Sequence, residues 1–249
     1  MSPPSKSTLG LLADVIPFSW VDGPGNRFVV FTQGCTFDCI ACHNPSTIVQ
    51  CTSASAPRRA TVRELLAQIR EVAPYLTGVT VSGGECTLQP RFLRALFWSI
   101  KADQELAHLT TLVDSNGDAP LRVWDGLRRV MDGAMIDLKA IDQDVHRVLT
   151  GKANDQVLAS IRHLSAMGRL EEVRLLIVPG YNDEPAMLER TGRWLHDVDP
   201  GMRVRLIPFR AHGVRPAFRT IPEPTFEQMA ELAGVLGGAG LRRVEVLQA

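Results

Sequence analysis

From Thr61 to its end the sequence keeps one rhythm, and that rhythm leaves few folds open. Short apolar runs read as strands: Val79–Val81, Leu109–Val113, Ala134–Ile136, Val173–Val178, Val204–Pro208 and Arg243–Leu247. Between them lie segments whose apolar residues fall at helical spacing: Thr61–Val72, Arg91–Ile100, Leu121–Val130, Glu184–His196 and Thr225–Leu236. Asp142–Met167 is a further helical region, broken near Thr150-Gly-Lys152. Thr61, with Glu64 in the first turn, has the pattern of a capping box. Strands that alternate with helices pair in parallel through right-handed crossovers. Six or seven such units suit an α/β fold, an open or closed β/α barrel, with no linker dividing it and no sequence repeat.

Upstream the pattern differs. Ser2–Ser7 is polar and Pro-rich, expected as a loose tail, and Leu9–Trp20 reads as extended. The division expected is a tail and extension over 1–15 and one core domain over 16–249. Asp22-Gly-Pro-Gly25 is a turn, Arg27–Thr32 a buried strand, and Ile48–Arg59, rich in Ser, Thr, Ala and Pro, a surface loop that carries Cys51.

At 249 residues the chain is long enough to bury a sizeable core, and its 45% apolar and 22% charged residues are ordinary. Lys+Arg and Asp+Glu are both 27. A net charge of zero argues against a polyanion such as nucleic acid as partner. No apolar run approaches a membrane span, and Met1–Lys6 lacks the pattern of a signal peptide. The expectation is a cytoplasmic, reducing home, where clustered cysteines bind metal or react.

In β/α barrels chemistry gathers at the carboxyl ends of the strands. Those ends carry residues a core has no use for: Cys35, Gly83-Gly84-Glu85, Asp114-Ser115-Asn116, Asp137 and Lys139, Arg210 and His212. The sharpest signal is Cys35-Thr-Phe-Asp-Cys39-Ile-Ala-Cys42. Thiols so close make no sensible disulfide framework. A structural zinc site needs four ligands, usually as two knuckles, and only one is present. A cubane iron–sulfur cluster normally takes four thiolates. Three would leave one iron open to a ligand that is not protein.

The other residues each have a plainer reading. Gly83 and Gly84 make an ordinary turn, but also let a ligand approach the backbone, and Glu85 can accept from an ammonium group. Asp114 and Asp137 fit helix caps or solvated turns, and Lys139 fits the surface. Arg174, inside a strand, must be paired or face a polar cavity. His43 either shapes the cysteine loop or acts directly. Cys86 reads as a small buried filler rather than a ligand.

The spacing Cys-x3-Cys-x2-Cys resembles that of the radical S-adenosylmethionine (SAM) superfamily. Val21-Asp-Gly-Pro-Gly25, Gly34-Cys35, Cys42-His-Asn-Pro45, Ser82-Gly-Gly-Glu85, Asp137-Leu-Lys139 and Val178-Pro-Gly180 are similar to the glycyl-radical-enzyme activating enzymes, the pyruvate formate-lyase-activating family. The likeness runs from about Ile16 to Gly213. Leu112-Val-Asp-Ser-Asn-Gly117, Asp132–Lys139 and Ala211-His-Gly213 look closest to the YjjW-type branch.

The resemblance implies a partial (β/α)6 barrel in which Cys35, Cys39 and Cys42 hold one [4Fe–4S] cluster and SAM chelates the open iron. It implies cofactor contacts from Ala41, His43, Gly83, Gly84, Glu85, Asp114, Ser115, Asp137, Lys139, Arg174, Arg210 and His212, with Asp137 and Lys139 nearest the chemistry. Asp114, Ser115 and Asp137 are also candidates for a monovalent cation. An electron from flavodoxin or ferredoxin would cleave SAM to a 5′-deoxyadenosyl radical, which abstracts hydrogen from a glycine of a partner glycyl radical enzyme.

Two departures stand out. The ferredoxin-like insertion of many YjjW-type members, with eight more cysteines, is replaced here by Gln50–Ala56 with its orphan Cys51. Phe209-Arg210 stands where the family commonly has a histidine after the aromatic, so that place falls to Arg210 or His212. Two rivals remain open: the same radical chemistry on a small molecule or another peptide, and a non-catalytic iron–sulfur or electron-transfer protein.

Overall fold

In the computed structural model, which describes residues 4–49 and 58–247, the chain forms two compact units. The first is built from Met1–Thr36, Ser46–Ser115 and Ala119–Met135; the second from Phe37–Pro45, Asn116–Asp118 and Ile136–Ala249. The first contains β1 (Leu9–Ser19), β2 (Arg27–Thr32), β3 (Arg58–Thr61), α1 (Val62–Val72), β4 (Gly78–Gly83), α2 (Pro90–Lys101), β5 (Thr110–Ser115) and α3 (Leu121–Leu127). Strand β6 (Gly133–Asp137) begins in the first unit and ends in the second. The second then continues with α4 (Gln143–Thr150), α5 (Asp155–Ala166), β7 (Leu170–Ile177), α6 (Pro185–Val198), β8 (Arg203–Pro208), α7 (Phe226–Gly238) and β9 (Arg243–Val246).

The α/β expectation is met. In the first unit β2, β4 and β5 pair in parallel, Phe28 beside Val79 and Val79 beside Thr111. In the second, β7, β8 and β9 do the same, with Arg174, Arg205 and Glu245 side by side. The continuous apolar run Phe28-Val-Val30 is fully buried, as a strand covered on both faces must be. Helix α1 shows why its sequence folds locally. Thr61 Oγ1 accepts from Glu64 N, and Glu64 Oε2 accepts from Thr61 N at 2.7 Å. Val62, Leu65, Leu66 and Ile69 then form its buried stripe. The break between α4 and α5 is Gly151, at φ +79°, a left-handed C-cap whose N–H returns to Arg147 O.

Upstream of the alternating region, β1 runs antiparallel to both β2 and β3. Three local expectations are corrected. The surface loop expected through Arg59 gives way to β3 at Arg58; only Ala60 of that short strand is buried, too little apolar alternation to announce it. Residues 5–8 are not loose: Lys6 O and Thr8 O accept from Arg63 N and Val62 N, satisfying the first N–H groups of α1. Helix α3 also ends at Leu127 rather than Val130, where Val130 N and Met131 N both turn back to Leu127 O. Among the described residues no helix is long and apolar enough to cross a membrane.

Candidate active site

In the first unit, β2 delivers Cys35 through a turn knitted to the end of β4. Gly34 N donates to Thr47 O (2.8 Å) and Cys35 N to Ile48 O (3.0 Å). Gly84 N donates to Thr32 O (3.0 Å) and Glu85 N to Gly34 O (2.7 Å). The two chains run so close that a Cβ on Gly84 would lie 2.2 Å from Gly34 O, and one on Gly83 2.2 Å from Thr32 N. The glycine pair is therefore required by the protein's own backbone before any ligand is considered. Cys35 Sγ lies 3.4 Å from Gly84 O.

Glu85 is buried, and its Oε1 accepts from Ser115 Oγ (2.9 Å), Thr87 N (2.9 Å) and Thr87 Oγ1 (2.6 Å). Asp114 Oδ2 accepts from Ser82 Oγ at 2.8 Å. Cys86, beside them, is fully buried with Sγ 3.3 Å from Asp114 O. Burial, reinforced by the Glu85 and Asp114 charges, pushes its thiol well up, so it stays protonated. That is the behaviour of a filler.

The second unit carries the rest of the cysteine loop, Phe37–Pro45. Asp38 N donates to Thr150 O and Ile40 N to Leu149 O, each at 3.0 Å, so the loop sits on the carboxyl end of α4. Ala41 is buried in an apolar cluster with Ala140, Leu149, Val178, Met187, Phe209 and Val214. Burial raises the Cys42 thiol, opposed by the Asn44 N–H and by the charges of Lys139 and Arg215. Burial lowers His43, even though its ring donates to the Arg210 carbonyl.

Asp137 and Lys139, at the end of β6, form an ion pair at 2.7 Å, and Asn182 Nδ2 fixes the Lys139 carbonyl at 2.7 Å. Arg174 is buried and donates through Nε to Glu172 Oε1 at 2.6 Å. Glu172, 0% exposed, also lies 3.3 Å from Arg205 Nη2. Arg210 pairs with Glu223 at 2.8 Å, and the Ala211 N–H donates to the same carboxylate. His212 is exposed.

The first unit thus brings together Cys35, Gly83, Gly84, Glu85, Asp114 and Ser115. The second gathers Cys39, Cys42 and His43, with Asp137 paired to Lys139, Arg174 to Glu172 and Arg210 to Glu223. Cys51 lies outside the described residues. Sequence reasoning missed Glu172, Arg205 and Arg215. The signal for the first two was available: in Glu172-Val-Arg174 and Arg203-Val-Arg205, charges alternate with apolar residues at the strand period, which marks a polar sheet face.

Cys35, Cys39 and Cys42 are partly exposed and form no disulfide among the described residues. Among the described residues no three Cys, His, Asp or Glu side chains gather as a single metal ion requires. A donor set of thiols alone fits an iron–sulfur cluster, which takes one thiolate per iron.

Residues 29–191 match the family model of the radical SAM superfamily. The chain is 37% identical over 212 residues to the pyruvate formate-lyase-activating enzyme of Staphylococcus epidermidis, covering 82% of this chain and 83% of that one. In structure it is similar to a domain of the pyruvate-formate lyase-activating enzyme from Bacteroides vulgatus, with TM-score 0.56 and 22% identity over 69% of this chain and 99% of that one. It is also similar to a radical SAM methyltransferase from Sphaerobacter thermophilus, with TM-score 0.67 and 21% identity over 89% of this chain and 66% of that one. At those identities the structural likeness speaks for the fold alone.

Proposed function

The chain belongs to the radical SAM superfamily and, within it, to the family of the pyruvate formate-lyase-activating enzymes; on that premise we propose that it installs the glycyl radical of a partner enzyme. Bound together and reduced by one electron, a [4Fe–4S] cluster and SAM supply a 5′-deoxyadenosyl radical able to take hydrogen from a glycine. The observation that carries the reading is the set of three thiols outside any disulfide, Cys35, Cys39 and Cys42, in a chain of this family.

The chain's residues then have distinct tasks. Cys35, Cys39 and Cys42 are the cluster ligands, and the neighbouring Lys139 and Arg215 charges favour Cys42 as thiolate. Glu85, held by Ser115 and Thr87, is oriented to accept the ammonium group of SAM. Lys139, paired with Asp137 in the free protein, would exchange that partner for the SAM carboxylate. Arg174, steered by Glu172, completes the cationic side. Neutral His43 and the Arg210–Glu223 pair border the loop after β8. Asp114, Ser115 and Asp137 offer hard oxygen donors of the kind a monovalent cation takes. The protein is cytoplasmic in this reading, with flavodoxin or ferredoxin as electron donor.

The test is anaerobic incubation of the reconstituted, reduced protein with SAM and candidate glycyl radical enzymes. A glycyl doublet by electron spin resonance, with 5′-deoxyadenosine formed, is the expected result. Without 5′-deoxyadenosine the enzyme reading fails. With it, but with no radical on any candidate, activation gives way to chemistry on a small molecule.

A further inference from the structure

Arg215, whose charge lies near Cys42, is also bonded directly to the cysteine loop. Its Nη2 donates to Cys39 O (2.8 Å) and Asp38 O (3.2 Å), and its Nη1 pairs with Asp38 Oδ1 at 3.0 Å. The guanidinium carbon lies over the Phe218 ring, 5.6 Å from its centroid. Two residues upstream, Gly213 passes so near the loop that a Cβ there would lie 2.5 Å from His43 O. The segment Gly213–Arg215 therefore touches the loop at both ends, at Asp38 and Cys39 and again at His43.

The loop has an electrostatic problem that Arg215 addresses. It rests on the carboxyl end of α4, with Asp38 N and Ile40 N bonded to Thr150 O and Leu149 O. A helix carboxyl end carries about half a negative charge, and thiolate ligands add more. Asp38 contributes a full one. A fixed cation on the loop's main chain offsets part of that charge.

We propose that Arg215 is a positioning residue for the cluster: it clamps the Cys39 main chain and supplies a fixed positive charge beside the α4 carboxyl end. The proposal rests on Cys39 and Cys42 being cluster ligands. Lysine at 215 would keep the charge but lose the planar fork that spans two carbonyls and a carboxylate; glutamine would keep a donor and lose the charge.

The experiment uses anaerobically reconstituted holoenzyme and three variants, Arg215→Gln, Arg215→Lys and Asp38→Asn. The readouts are the midpoint potential of the cluster, loss of iron to a ferrous chelator, and circular dichroism for the fold. Arg215→Gln is expected to shift the potential negative, since removing a nearby cation disfavours the added electron. It should also release iron about tenfold faster, the usual scale for an outer-shell partner. Arg215→Lys should restore the potential while still releasing iron faster than the parent. Asp38→Asn should shift the potential the opposite way, to more positive values.

An unmoved potential in well-folded Arg215→Gln, or shifts of the same sign in Arg215→Gln and Asp38→Asn, would overturn the proposal. Cys39→Ser separates the two claims. If it binds iron and sulfide as the parent does, the ligand assignment itself is wrong. If it fails to assemble while Arg215→Gln matches the parent, only the role of Arg215 falls.

Discussion

The two units hold their charged site residues in different ways. In the first, the carboxylates of Glu85 and Asp114 are held by Ser115, Thr87 and Ser82, hydroxyl and N–H donors that carry no charge. In the second, Lys139, Arg174 and Arg210 each grip a carboxylate: Asp137, Glu172 and Glu223. Hydroxyl and N–H donors orient a carboxylate without neutralising it. An ion pair is already balanced, so a ligand must displace one partner to enter. The first arrangement is a preformed cradle, and the second a set of contacts that ligand binding exchanges.

The harshest break in that comparison is at the thiols. Cys39→Ser or Cys42→Ser is expected to abolish cluster assembly and with it 5′-deoxyadenosine formation, measured by iron content and chromatography. Cys86→Ala should leave both in place, since that thiol is buried and protonated.

Next come the two kinds of charge. Glu85→Gln removes the charge of the cradle while keeping its shape. A hydrogen bond to a charged group is worth about 1.5–3 kcal/mol, so SAM affinity should fall roughly tenfold to a hundredfold by equilibrium dialysis. Lys139→Gln should cost less, about tenfold or below, because the parent gives up its Asp137 pair to bind. Equal losses would show that the second unit is as preformed as the first.

Backbone closeness gives the third contrast. At Gly84 a methyl group meets the main-chain oxygens of Gly34 and Thr47 at 2.2 and 2.8 Å, and neither can rotate away. Gly84→Ala is expected to lower stability by about 3 kcal/mol, read from urea unfolding. Gly180, in the second unit, is at φ +81° with nothing within 4 Å of its would-be Cβ. Gly180→Ala should cost only about 1 kcal/mol, the penalty of a left-handed alanine.

The same contrast explains what was legible in the sequence. The strand and helix alternation, the Thr61 capping box, the Gly151 break and the cysteine spacing are local signals, and each stands in the structure. Glu85, Asp114 and Ser115 end strands, where their chemistry is exposed to a reader of patterns. Partnership is not local. Arg215 is 176 positions from Cys39 in the chain, and no periodicity announces that its fork fits that carbonyl. Glu223, which takes Arg210, sits in a Pro-rich stretch that reads as plain loop. Strand β3 was hidden for another reason: two arginines and one buried alanine do not alternate enough to look like sheet.

The subtlest expected effect is on pH dependence, and it falls on the second unit alone. His146 is fully buried in α4, with Nδ1 2.9 Å from Lys152 O, so Nδ1 carries the proton and donates. Its Nε2 is buried without a hydrogen-bond partner, and the edge of the Phe37 ring packs on the imidazole at 5.5 Å between centroids. Burial lowers its pKa from the ordinary 6.5; the Lys152 carbonyl and Asp118 oppose the shift, and the Lys139 charge adds to it. The unfolded chain therefore binds the proton more readily than the folded one. The stabilising contribution is fully present above about pH 6.5 and is lost as pH falls through the lower folded value. Melting temperature should decline over that window, and His146→Gln should flatten the decline. Because Phe37 leads into the loop that hydrogen-bonds Thr150 and Leu149, amide exchange at Asp38 and Ile40 should quicken on acidification. Exchange at Cys35 and Glu85, held by the Ile48 and Gly34 carbonyls of the first unit, should not. If all four amides quicken together, the two regions do not respond independently, and the contrast between cradle and exchangeable contacts is one of chemistry without a matching difference in local stability.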